Sequence, residues 1–144
     1  EAQVEAAAGD PSGGDHARAL TRRGVAEATR AAARCAELGW QPELLLASSA
    51  TRTRQTAEIV ALGLGLAAGK IVMLDELYLA DPDAIRRAAA QAGPRITRLM
   101  IVAHNPGISA FARQLAPDAA LPGFDTAGMA RFELHLEDWS QLAP

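Results

Sequence analysis

Between Leu44 and Val60 the chain reads LLLASSATRTRQTAEIV. Leu44, Leu45, Leu46 and Ala47 form an apolar run too short for a helix of its own. Ser48 and Ser49 end it, and helix-like spacing follows at once. A strand, a tight turn and a helix N-terminus are the unit from which α/β layers are built. The polar end of this unit gathers Arg52 and Arg54 on the first helical turn. Helix N-termini present unpaired N–H donors, and a guanidinium is a planar fork that grips phosphate oxygens in pairs. The spot therefore suits a phosphate. Arginine at a helix start is more often a solvated surface charge, and a second spot of similar chemistry is what favours the functional reading.

Elsewhere the same grammar repeats. Val25, Ala28, Ala32, Cys35 and Leu38 recur at helical spacing, with Thr21 to cap the start and Gly39 to close the end, which predicts a helix from about 21 to 38. Leu44 to Ala47 predicts a strand, and 51 to 64 a helix. Ile71 to Leu74 predicts a second strand. Asp81-Pro82 supplies a cap and a first-turn proline for a helix running to about Gln91, and Gly93-Pro94 stops it. Arg98 to Ala103 predicts a third strand, opening into His104-Asn105-Pro106-Gly107 and a helix to about Leu115. Ala127 to Leu136 alternates, with Met129, Phe132, Leu134 and Leu136 apolar, and predicts a half-exposed strand at or near a sheet edge. Residues 1 to 19 carry no sustained period, and Asp10 to Asp15 is turn chemistry. The expected fold is an α/β three-layer sandwich, with a mainly parallel central sheet, helices on both faces and the last strand near the edge. At 144 residues a single domain spanning 1–144 is expected. Ligands in such folds bind at the carboxyl ends of strands, so Ser48 to Arg54 and His104-Asn105 should share one rim. There an imidazolium and a guanidinium would neutralise a phosphoryl group and the charge that grows on it during transfer.

Composition narrows the partners. A formal net charge of −3 argues against broad binding to nucleic acid or an anionic membrane. Cys35 stands alone, which excludes an intrachain disulfide and a cysteine metal cluster, and its place on an apolar helix face reads as core. No apolar run approaches the ~18 residues of a membrane span, and no signal peptide is visible, so cytoplasm is the default expectation.

Several motifs resemble the histidine phosphatase superfamily, which includes phosphoglycerate mutase, and within it the small phosphohistidine phosphatases of the SixA type. Leu20-Thr21-Arg22-Arg23-Gly24 resembles the family's L-T-x-x-G helix entry. Ser48 to Ala57 resembles S-P-x-x-R-x-x-Q-T-A, with Ser49 in place of the usual proline. Glu76-Leu77-Tyr78 resembles the segment after the third strand of the family. Val102-Ala103-His104-Asn105-Pro106-Gly107 resembles the second-histidine motif, and Phe124-Asp125-Thr126-Ala127 with Asp138-Trp139 fits the small bacterial members. The resemblance implies that Arg52 and His104 bind the transferring phosphoryl group, that Asn105 adds a backbone contact, and that Glu76 is a candidate proton donor whose alternative is a plain surface charge. It implies no metal and no cofactor. The implied substrates are a phosphorylated protein side chain, such as phosphohistidine, or a small phosphomonoester, with phosphate or sulfate plausible in the pocket.

One departure matters. The family's nucleophile is a histidine in an R-H-G or R-H-A triplet at the end of the first strand, and these 144 residues hold no such triplet. Glu1-Ala2 looks like the pair that would follow R-H-A. The expectation is a domain lacking its first strand, with roughly ten further residues ahead of Glu1 in the natural protein and no turnover if the molecule truly starts there. His16, in a polar loop, and His135, on the alternating segment, do not stand in for it. Two alternatives stay open. One is a phosphate-binding or interaction module without catalysis. The other is a phosphatase or mutase of small metabolites.

Overall fold

The computed structural model describes residues 14–143. After a four-residue helix, α1 (Gly14–Ala17), come α2 (Arg22–Glu37), β1 (Leu44–Ser48), α3 (Thr51–Leu64), β2 (Ile71–Leu74), α4 (Pro82–Ala90), β3 (Leu99–Val102) and α5 (Gly107–Leu115). The three strands form one parallel sheet in the order β2-β1-β3. The end signals act as expected. Thr21 Oγ1 accepts from the Gly24 amide at 3.0 Å, and Asp81 Oδ1 accepts from the Ala84 amide at 2.7 Å. Gly39 takes φ +70 to end α2, a conformation open to a residue without Cβ.

Strand periodicity of two sends alternate residues to opposite faces, and each face has its own core. Leu45 and Ala47, with Ile71, Met73, Met100 and Val102 beside them, meet Ala32 and Cys35 of α2 and Ala57, Val60 and Leu64 of α3. Leu46, with Leu44, Leu74, Leu99 and Ile101 on its side, meets Ile85 and Ala88 of α4 and Phe111 of α5. The result is the three-layer α/β sandwich. The small residues let helices approach closely: a Cβ added to Gly63 of α3 would stand 2.7 Å from Ala32 Cβ of α2. Glu43 clamps the strand starts, its Oε2 accepting from the Thr97 and Arg98 amides at 2.6 and 3.0 Å.

The strand expected at 127–136 does not form. Its alternation survives in space, with Phe132, Leu134 and Leu136 half-buried and Arg131, Glu133 and His135 exposed. What it lacks is a ladder. A cavity of about 600 Å³ separates this segment from β3, walled by Met100 and Val102, by Cys35 of α2 and by Phe111 of α5. An extended segment becomes sheet only where a neighbour takes its backbone hydrogen bonds, and among the described residues no ladder joins this one to a strand. The turn region Asp10 to Gly13 lies outside those residues. The turn expected at Gly14 and Asp15 is instead the start of α1.

Candidate active site

β1 and β3 run the same way and end side by side, so Ser48 and His104 emerge on one rim. From that rim α3 begins without a side-chain cap and with no acidic residue in its first turn. Cations at a helix N-terminus oppose the helix dipole. Arg52 nevertheless lies there with only 2% of its surface exposed. Arg54, by contrast, is exposed.

Arg52 and His104 meet directly. Arg52 Nη2 stands 3.1 Å from His104 Nδ1, and His104 itself is 1% exposed. On the other side of the ring, Nε2 lies 2.7 Å from Ser48 Oγ. Ser48 Oγ also accepts from the Ala50 amide at 3.3 Å, which folds the turn between strand and helix. Thr53 Oγ1 donates to the Ser48 carbonyl at 2.8 Å and ties the first turn of α3 to the strand end.

Three residues that the sequence did not single out complete the cluster. Asp15 of α1 takes both arms of the Arg52 fork. Nη1 donates to its backbone carbonyl at 2.7 Å, and Nη2 to its Oδ2 at 3.1 Å. The Tyr78 hydroxyl donates to the same Oδ2 at 2.7 Å, and Arg18 Nη1 to Oδ1 at 3.1 Å. The Tyr78 bond, aided by the Arg52 and Arg18 charges and opposed by partial burial, holds the Asp15 carboxyl below its ordinary range. The same contact pushes the Tyr78 hydroxyl up. The Tyr78 ring meets His104 edge-on at 5.5 Å and His16 at 4.8 Å. His16 Nε2 lies 3.0 Å from Ser49 Oγ, so this exposed imidazole stands at the rim, at the position where the family carries proline. Tyr78 follows Glu76-Leu77 in a motif already noted. Asp15 offered no signal beyond its turn context.

The remaining site candidates part company. Asn105 holds its loop: Nδ2 donates to the Phe124 carbonyl at 2.9 Å, and Oδ1 accepts from Ser109 Oγ at 2.5 Å. The Asn105–Pro106 peptide is cis. Gly107 then starts α5 so close to Ala80 that an added Cβ would fall 1.8 Å from its carbonyl oxygen. Glu76 is exposed on a 3₁₀ turn (Asp75–Leu77), and no hydrogen bond among the described residues joins it to Arg52 or His104. His135 is exposed on the 127–136 segment, outside the cluster. No group of three or more His, Cys, Asp or Glu able to hold a metal ion occurs among the described residues. No described helix is long and apolar enough to cross a membrane.

Chemically, the cluster brings a guanidinium, an imidazole, a carboxylate and a phenol hydroxyl together at the ends of two strands. A phosphoryl group entering it would compete with Asp15 for the Arg52 fork. Comparison with known proteins bears on the same chemistry. An uncharacterized chloroplastic protein of Arabidopsis thaliana is 50% identical over 42 residues, which is 29% of this chain and only 19% of that protein's length. A candidate phosphohistidine phosphatase SixA from Agrobacterium tumefaciens superposes with TM-score 0.71 at 30% identity, over 81% of this chain and 73% of that one. A SixA protein histidine phosphatase complexed with tungstate gives TM-score 0.72 at 24% identity, over 87% and 78%, a likeness of fold. A family profile described as histidine phosphatase superfamily (branch 1) matches residues 2–98. The chain belongs to the histidine phosphatase superfamily.

Proposed function

We propose that this domain serves the hydrolysis of a phosphoryl group, carried as phosphohistidine on a protein or as a small phosphomonoester, through a phosphohistidine enzyme intermediate. The observation that carries the reading is the convergence of Arg52 and His104, 3.1 Å apart and both buried, at the ends of two parallel strands. In the reaction an imidazole nitrogen bonds to phosphorus as the leaving-group bond breaks. Water then cleaves the P–N bond and releases phosphate. Arg52 binds two phosphoryl oxygens, and its fixed charge is matched to the transition state, where charge spreads over those oxygens. His104 lies against the same group. Glu76 keeps the place of a candidate proton donor, and Asn105 serves by shaping the loop that carries His104. Binding and release need no metal in this scheme.

The test compares two chains, residues 1–144 and the same chain with Arg-His-Ala placed at the end of a strand-length extension ahead of Glu1, on a phosphoramidate and on an aryl phosphate. The extended chain is expected to turn over and to carry acid-labile phosphate on the added histidine, with the phosphoramidate preferred. The 144-residue chain is expected to bind inorganic phosphate without turnover, the behaviour of a binding module. Preference for a small metabolite ester over both substrates would favour the metabolite phosphatase. Arg52→Ala in the extended chain is expected to lower kcat/KM by roughly a hundredfold or more, in the range for removal of one charge-stabilising donor. Unchanged hydrolysis would remove Arg52 from the site.

A further inference from the structure

Ser48 and His104 stand at the distance of a nucleophile and its base, 2.7 Å from Oγ to Nε2. Polarity decides what that contact is. In a serine hydrolase the imidazole carries its proton on Nδ1, donates it to a carboxylate, and keeps Nε2 as the acceptor that takes the serine proton. Here Arg52 Nη2 points at Nδ1, at 3.1 Å. A guanidinium has five N–H donors and no acceptor, and it does not lose its proton in proteins. Nδ1 must therefore present its lone pair, and a neutral ring then carries its proton on Nε2. That proton points at Ser48 Oγ, which accepts it beside the Ala50 amide, 3.3 Å away.

We propose that Ser48 is the positioning residue of His104. It fixes the Nε2–H tautomer and turns Nδ1 to Arg52 and the anion, and it is not itself a nucleophile. The assignment rests on the phosphoryl-binding reading of Arg52 and His104 for its purpose, and on the two hydrogen bonds alone for its geometry. Ser48 is fully buried at the end of β1, so the acceptor cannot wander, and water does not replace it. With the ring charged, Nδ1–H and the Arg52 N–H would oppose each other, so that state requires Arg52 to turn to the anion. A proton added at Nδ1 makes His104 a donor toward a bound oxyanion and leaves the Nε2–H to Ser48 bond as it was. Among the described residues, Ser48 from β1, Arg52 from α3 and the edge of Tyr78 face the ring, with Asp15 of α1 behind Arg52 and Tyr78.

The experiment is a long-range ¹H–¹⁵N correlation spectrum of the 144-residue chain near neutral pH, with and without inorganic phosphate. Its three imidazoles are assigned by replacing His16 and His135 with glutamine. The expected result is a single His104 tautomer, protonated at Nε2 without phosphate and keeping that proton when phosphate is added. Ser48→Ala is expected to mix the tautomers and to weaken phosphate binding by roughly tenfold, the cost of leaving a buried donor unpaired. Ser48→Thr, which keeps the hydroxyl, is expected to restore the tautomer. A proton resident on Nδ1 of the neutral ring, or a Ser48→Ala spectrum and phosphate affinity unchanged from the parent, would overturn the proposal. So would labelling of Ser48 by a serine-directed fluorophosphonate. Failure of the parent chain to bind phosphate, with the Nε2–H tautomer intact, would count against the phosphatase reading and leave the positioning role standing.

Discussion

Asp15 does to Arg52 what a phosphate would do, offering two oxygens to two guanidinium nitrogens at 2.7 and 3.1 Å. One of those oxygens is the backbone carbonyl, which no side-chain change removes. The other is the carboxylate, which carries the charge that repels an incoming anion. Asp15→Asn is therefore expected to strengthen binding of inorganic phosphate a few-fold, in keeping with the ~0.5–1 kcal/mol that a partly exposed ion pair contributes. Calorimetric titration of both chains checks it, and weaker binding in the variant would make Asp15 a support of Arg52 rather than its competitor. The pH dependence has a definite sign. The Tyr78 hydrogen bond and the Arg52 charge depress the Asp15 carboxyl in the fold, so its stabilising contribution is fully present above the unfolded carboxylate pKa, about 4. It is lost as the pH falls through the lower folded value. The stability gap between the parent and Asp15→Asn is thus expected to be open at pH 6 and to close below about pH 4 in denaturant titrations.

Elements announced themselves where the signal is local. Thr21, the Asp81-Pro82 pair and the apolar runs of β1, β2 and β3 each act within a few residues of themselves, and the helices and strands begin and end close to where these residues place them. The 127–136 alternation is equally local but calls for something local signals do not hold, a neighbouring strand. The same limit explains the site. Arg52 and His104 were legible because strand order puts both on one rim. Asp15 and Ser48 reach them across 37 and 56 residues of chain, and Tyr78 reaches Asp15 across 63, through contacts that exist only after the layers close. The turn at 104–107 shows how tightly one element seats another. A methyl at Gly107 would fall 1.8 Å from the Ala80 carbonyl oxygen, which is backbone and cannot rotate away. Gly107→Ala is expected to cost about 1–3 kcal/mol, the range for overpacking, and to lower Tm by several degrees. Thermal unfolding followed by circular dichroism reads this directly, and an unchanged Tm would mean that α5 stands further from Ala80.

Across the described residues the packing is uneven. The two cores on either face of β1 are closed by alanine and leucine at short range. Beyond β3, however, lies a cavity of about 600 Å³ lined largely by apolar side chains, with Arg52, Thr53 and Thr56 also on its wall. Among the described residues β3 pairs with β1 along one edge, and the alternating 127–136 segment lies on its other side without a ladder. Protein interiors are normally close-packed, and unfilled apolar volume costs stability. A parallel strand laid along β3 would fill the volume, take the hydrogen bonds of both borders and end beside His104. An apolar extension of about ten residues ahead of Glu1, ending in Arg-His-Ala, has the length for this. It is expected to raise Tm and to protect the amides of Leu99 to Val102 from hydrogen exchange, and residues 127–136 should become a strand in its presence. A second version with two charged residues at the inward positions separates filling from mere lengthening, since buried unpaired charge opposes seating. Equal Tm and equal amide protection for the apolar extension, the charged extension and the 144-residue chain would mean that the cavity is not a strand's place, and that the nucleophile sought beside His104 arrives by another route.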